Sequence, residues 1–142
     1  MPIPSISEVM EAYAKDAVTH ACNRGVTLDY SEASLESVDR ILEMLTSGGV
    51  ISPSSPAEEN QLWVLSKMYG GYTGEVVIKQ MGGQWELHNL ANGGARVVLH
   101  SGGIQAFPPE KIYKRLTEDR FSGVGGYCRA LRAIIEHAGK KG

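Results

Sequence analysis

Three sets of residues in this chain have types and spacings that could do chemistry. The first is "GGYTGEVVIKQMGGQW", Gly70 to Trp85, which holds five of the chain's 17 glycines and one carboxylate, Glu75, among apolar neighbours. Glycines cradle phosphates when G-x-G-x-x-G follows a strand and opens a helix. "GGYTGE" lacks that order and follows a helical pattern, so turn formation and close packing are the stronger account of these glycines. "SGVGGY", Ser122 to Tyr127, precedes a helix, where free N–H groups could meet an anion. It has neither the preceding strand nor the Lys-Ser/Thr of a P-loop.

The second set is Glu86, His88 and His100, which fall on two neighbouring strand patterns. Zinc needs three or four ligands. No third histidine or cysteine arrives by spacing, so neither a metal nor a cofactor is expected. No catalytic residues are assigned: Cys22 and Cys128 lack a histidine context, no G-x-S-x-G occurs, and Glu75 is expected to pair with Lys79, four residues on, or to top the helix surface.

The third set is acidic. Glu32, Glu36, Asp39 and Glu43 recur at helical spacing opposite Leu35, Val38, Leu42 and Leu45. Like charges three or four residues apart cost an isolated helix a few tenths of a kcal/mol, about 0.2–0.5 per pair, so stability does not explain them. They are the candidate partner-binding residues, a docking surface for a basic protein. The competing reading is a solvated outer face. Residues 1–60 carry ten acidic and three basic side chains, net −7; residues 61–142 carry six and eleven, net +5. Such polarity either steers a charged partner or lets the two halves attract each other.

Lys111, Lys114, Arg115, Arg120, Arg129 and Arg132 supply much of the basic half, with Tyr113, Phe121 and Tyr127 among them. A sequence pI of about 6.1 and the lack of a nucleic-acid motif argue against a nucleic-acid partner. No run of about 18 apolar residues is present, so no membrane span is expected. "MPIPSISEVMEAY" has no basic or apolar leader pattern. The cytoplasm is the expected location, with both cysteines buried as reduced thiols.

The elements that must position these residues follow from caps and periodicity. A chain of 142 residues, 42% apolar and 21% charged, is expected to fold as one domain, residues 1–142. Ser5 and Glu8 form a capping box for a first helix that Gly25 stops. A second helix begins near Asp29 or Ser31 and ends at Gly48-Gly49. Ser55, Pro56 and Glu58 open a third. Its stripe, Leu62, Leu65, Tyr69, Tyr72 and Val76, passes through Gly70, Gly71 and Gly74 without losing phase. One helix from Pro56 to Met81 is therefore expected, although "EVVIK" alone could be a strand.

After Gly83 the period becomes two. "QWELHNL" and "ARVVLH" form a hairpin around "NGG", with Leu87 opposite Leu99 and Glu86 opposite His100 in the expected register, and "IQAF" adds a third strand. A short helix from Pro109 and a last helix capped by Ser122 complete the chain. Helices and strands are segregated, so the fold class is α+β: three N-terminal helices, a three-stranded antiparallel meander and two C-terminal helices.

"LDYSEASLESVDRILEML", "GGYTGEVVIKQMGGQWEL" and "FPPEKIYKRL" together resemble an uncharacterised bacterial family, domain of unknown function 3806, over about residues 27–136. That resemblance implies a bacterial source and a compact α+β domain, and carries over no catalytic residue. Small stand-alone bacterial proteins of this kind often resemble immunity proteins, which neutralise a toxin passed between neighbouring cells. A cognate protein toxin is the partner that this class analogy implies, and the function expected is non-enzymatic binding. The alternative is a small enzyme or ligand-binding regulatory domain using Gly70 to Glu75.

Overall fold

The computed structural model describes residues 3–141, with side chains through His137. The elements run α1 (Ile6–Cys22), α2 (Ser34–Thr46), α3 (Pro56–Met81), β1 (Gln84–Asn89), β2 (Ala95–Ser101), β3 (Ile104–Ala106), α4 (Pro108–Thr117) and α5 (Val124–Lys141). This is the α+β order expected from the sequence, with the strands in one antiparallel sheet ordered β1-β2-β3.

α3 is the hub. Ser55 accepts the Glu58 N–H at 3.2 Å, Glu58 reaches back to the Ser54 N–H at 2.6 Å, and Gly82, at φ 81°, ends the helix. Its middle is buried from Met68 through Gly74, because three glycines let three neighbours approach. A β-carbon on Gly70 would lie 2.5 Å from the Pro109 backbone at the start of α4. On Gly71 it would lie 3.0 Å from the Met10 carbonyl of α1, and on Gly74 2.2 Å from the Trp85 ring of β1. The glycines are thus contact points for a helix start, a helix and a strand.

The core draws on every element: Met10 and Ala14, Leu35 and Ile41, Tyr69 and Tyr72, Trp85, Leu99, Ala106, Ile112, and Val124 with Leu131. Burying two tyrosines requires partners for their hydroxyls. Tyr69 meets His20 Nδ1 at 2.5 Å. The Tyr30 N–H donates to the Tyr72 oxygen at 2.8 Å, and the Ser34 hydroxyl is 2.5 Å from Tyr72. Ser34 gives its proton to the Ser31 carbonyl at 2.5 Å, so Tyr72 is the donor to Ser34. This chain fixes the loop before α2, where Tyr30 takes φ 65°.

The structure corrects several local expectations. α2 starts at Ser34, because Ser31 closes a preceding turn by accepting the Ser34 N–H at 3.1 Å. In the hairpin, Trp85 faces Leu99 and Leu87 faces Val97, with Glu86 opposite Val98, a shift of two from the expected register. The loop runs from Leu90 to Gly94, closed by Leu90 N–H donating to the Gly94 carbonyl at 2.7 Å. A shift of two preserves the faces, so Trp85 and Leu99 still point to the core. Cys22 is exposed while Cys128 is buried; α1's last residue sits beyond its packed face, which ends at Ala21. No helix among the described residues is long and apolar enough to cross a membrane.

Candidate functional site

The acidic stripe of α2 faces α5 and the end of α4. Arg132 donates to Glu32 at 2.6 Å, and Arg129 to Glu36 at 3.0 Å. Asp39 accepts the Val124 and Gly125 N–H groups at 2.7 and 3.2 Å. Arg115, 3% exposed, donates to Glu43 at 2.6 Å, with Arg120 at 3.8 Å from the same carboxylate. Each carboxylate of the expected docking surface, Glu32, Glu36, Asp39 and Glu43, thus has a partner inside the molecule, while Glu36 and Glu43 stay 56% and 49% exposed. The alternative, attraction between the acidic and basic halves, describes the seam.

The same contacts replace Ser122 as the cap of α5. A carboxylate there meets free N–H groups and the positive end of the helix dipole, so Asp39 fills the anion position that "SGVGGY" offers. Burial pushes the Asp39 carboxyl above its ordinary range, against the two N–H bonds that favour its charge. Glu32 is held below its range, first by the hydrogen bond from Arg132. Five of the six basic residues singled out in the sequence, all but Lys114, have partners among the described residues. Arg115, Arg120, Arg129 and Arg132 pair with acids, and Lys111 meets the Ser122 hydroxyl.

The Gly70–Glu75 region is filled by protein atoms. Glu75 accepts the Trp85 indole N–H at 2.9 Å, instead of pairing with Lys79 as its spacing suggests. Glycine and carboxylate together seat one tryptophan. On the outer face of the sheet, Glu86 bridges two histidines, with His88 Nε2 at 2.8 Å and His100 Nδ1 at 3.7 Å. Its carboxyl is lowered, chiefly by the His88 bond. The pairing of Glu86 with His100 survives the register shift as a diagonal contact. Among the described residues no group of three or more His, Cys, Asp or Glu side chains is arranged to hold a metal ion.

The site that the sequence reading missed lies between α3, the hairpin and α4. A half-open cleft of about 570 Å³ is lined by Asn60, Trp63 and Lys67 on one wall, with Leu90, Ala95 and Val97 on the hairpin and Pro109 with Glu110 beyond Arg96. The hairpin that supplies one wall becomes more exposed toward its loop. The inward face of β1 starts with buried Trp85 but ends with Leu87, 52% exposed, and Leu90 at the loop is 43% exposed.

The walls are braced. Trp63 stacks on Tyr113 with ring centres 4.1 Å apart and planes 7° from parallel. Glu59 ties both rings, accepting Trp63 Nε1–H at 3.1 Å and Tyr113 O–H at 2.6 Å. That carboxylate pushes the Tyr113 phenol up to about 12. Across the cleft Arg96 makes a two-pronged pair with Glu110, at 2.6 and 2.9 Å, and lies 3.7 Å over the Phe107 ring. The arrangement offers a stiff, largely apolar trough with polar groups at its margins, suited to binding.

Only a weak signal in the sequence pointed here: Asn60, Trp63 and Lys67 recur at helical spacing away from the buried stripe, which places a tryptophan on a polar face. Comparison with protein-family models, curated proteins and solved structures finds no match for the chain.

Proposed function

We propose that this is a binding protein, not an enzyme, and specifically an immunity protein that neutralises a cognate protein toxin in the bacterial cytoplasm. The observation that carries the reading is the cleft with its apolar rim. Leu90, exposed at the end of the hairpin, lines it together with Trp63, which is fixed by its stack on Tyr113. Aromatic anchors around a water-accessible apolar trough are what a protein interface uses. The resemblance to domain of unknown function 3806 and the class analogy with immunity proteins point the same way. Two unpaired thiols suit a reducing compartment.

The test starts from the adjacent reading frames: one that encodes a toxin is co-expressed with this chain, and the absence of any toxin there counts against the reading. The chain should protect the cells. Leu90→Asp should abolish protection while leaving the melting temperature unchanged, since Leu90 lies outside the core. Full protection by Leu87→Asp with Leu90→Asp would remove the cleft from the interface.

A second reading has one observation in its favour. A cleft of about 570 Å³ falls within the common range for small-molecule sites, about 300–1,000 Å³. A ligand-binding regulatory domain would use this cleft in place of the filled Gly70–Glu75 region. A small molecule retained through purification and displaced by Leu90→Asp would favour it.

A further inference from the structure

We infer that the cleft is built for an extended segment of a partner protein, one that presents an apolar side chain and, two residues further on, a carboxylate. The inference rests on the protein-binding reading above and names the chemistry of the partner's segment.

It starts from the accounting of charge in the cleft. Arg96 is committed on both edges of its guanidinium to Glu110, and its face is committed to Phe107. Taking a new carboxylate there would release Glu110. Glu59, behind Trp63, already accepts from two aromatic side chains. Lys67 is different. It lines the cleft, and among the described residues it has no carboxylate within ion-pair distance and no hydrogen-bond partner. The cleft therefore holds one unmatched positive charge and no unmatched negative one. An occupant that complements it brings an acid to Lys67.

Spacing then defines the segment. Asn60, Trp63 and Lys67 project from one side of α3 into the cleft. Trp63 and Lys67 are one turn apart, about 6 Å along the helix axis. In an extended chain, side chains two residues apart share a face and are separated by about 6.5–7 Å. An apolar side chain packed against Trp63, Leu90, Val97 and Pro109 would therefore place the carboxylate of the second residue on at Lys67. The Asn60 side-chain amide, on the other side of Trp63, is free to bond the segment's backbone. A helical segment would need a spacing of three or four for the same two contacts, and would set a cylinder about 10 Å across into a trough walled on both sides.

The experiment uses the full chain, labelled with nitrogen-15, and three probes. These are the peptide Gly-Gly-Trp-Gly-Glu-Gly-Gly with blocked ends, the same peptide with Lys in place of Glu, and indole-3-acetate. The Glu peptide is expected to shift the amide signals of Asn60 to Lys67 and Leu90 to Val97, and to bind about fivefold more tightly than the Lys peptide, the size of one exposed charge contact. Lys67→Glu should reverse that order, and Lys67→Met should erase it, with the unperturbed spectrum reporting that each variant is folded.

Equal binding of the two peptides, shifts confined to other surfaces, or no binding at millimolar concentration overturns the inference. So does binding of indole-3-acetate without either peptide, which assigns the cleft to small molecules. Failure of the two proposals is distinguishable. Loss of protection in Leu90→Asp without a charge preference leaves the toxin-binding reading standing and removes this one. A charge preference in a wild-type chain that gives no protection removes the toxin reading and leaves the acidic-segment preference standing.

Discussion

A β-carbon on Gly70 would meet the Pro109 backbone at 2.5 Å, and backbone atoms at the start of α4 have no rotamer with which to yield. Gly70→Ala should therefore destabilise the fold by about 1–3 kcal/mol, as overpacking does, even though alanine is the better helix former. Gly126, in the first turn of α5, is the control: its added β-carbon meets nothing closer than an Arg129 nitrogen at 3.8 Å. Gly126→Ala should leave the urea midpoint unchanged or slightly raised. Equal effects of the two substitutions would show that close approach is not why α3 carries glycine. Gly74→Leu should also shift tryptophan fluorescence, because the residue that must move is Trp85. A pH effect resides at His20. Burial first, and then Arg24, lowers its pKa below 6.5, and the neutral ring can accept the Tyr69 hydroxyl proton. The folded state thus takes up a proton less readily than the unfolded chain. Its contribution is fully present above pH 6.5 and is lost as pH falls from there through the folded-state pKa. Unfolding followed against pH should show that decline in the native chain and a weaker one in His20→Gln. Identical pH profiles would remove His20 from the account.

Elements were legible where a local signal marks both ends. α3 runs from Pro56 to Met81 as its capping box, first-turn proline and closing Gly82 specify, and the unbroken stripe decided helix over strand for "EVVIK". The hairpin faces were legible from alternation. Its register was not, because "LANGG" closes as a loop between Leu90 and Gly94 and the sequence does not say how many residues a turn consumes. The α2–α5 seam was visible only as two opposite charge totals, since partners 93 and 100 residues apart leave no periodic trace. The cleft was hidden for the same reason: its walls come from three separate stretches, and only Trp63 on a polar face hinted at it. Within the seam, burial sets the energetic ranking. Glu36 and Arg129 are 56% and 67% exposed, and such a pair contributes about 0–1 kcal/mol. Arg115 is 3% exposed, so removing its carboxylate strands a buried charge, which costs about 3–5 kcal/mol when both partners are buried. Glu43 itself is 49% exposed, which reduces the effect to about 2 kcal/mol. Glu43→Gln should therefore lower the urea midpoint clearly and Glu36→Gln barely. The reverse order would mean that Arg115 finds enough in the Gly49 carbonyl, 3.3 Å away.

Across the whole molecule, a chain of net charge −2 folds its acidic first part against its basic last part. α5 contributes Val124, Cys128 and Leu131 to the core, and its other ties to α2 are the ion pairs and the Asp39 cap. Because exposed ion pairs are screened by salt while apolar burial is not, α5 should open at lower free energy than α3. Amide exchange should show α5 exchanging first, and more so in 1 M salt, near which the Debye length is about 3 Å. The double reversal Glu36→Lys with Asp39→Lys tests this directly. If the acidic stripe were a solvated docking face, the reversal would spare the fold. In the structure it removes the acceptor of two N–H groups at the start of α5. It also sets an ammonium at the positive end of that helix and a second one, at position 36, against Arg129. Loss of a cap costs about 0.5–2 kcal/mol and the helix-dipole contribution about 0.3–1, so a loss of about 1–3 kcal/mol is expected. Exchange protection should disappear from α5 before α3 changes. Adding Arg129→Glu to the double variant should recover only the pair with position 36, not the cap. A wild-type melting temperature and unchanged α5 protection in the double variant would show that the seam contributes nothing to the fold, and would favour Glu32, Glu36, Asp39 and Glu43 as a surface for a basic partner.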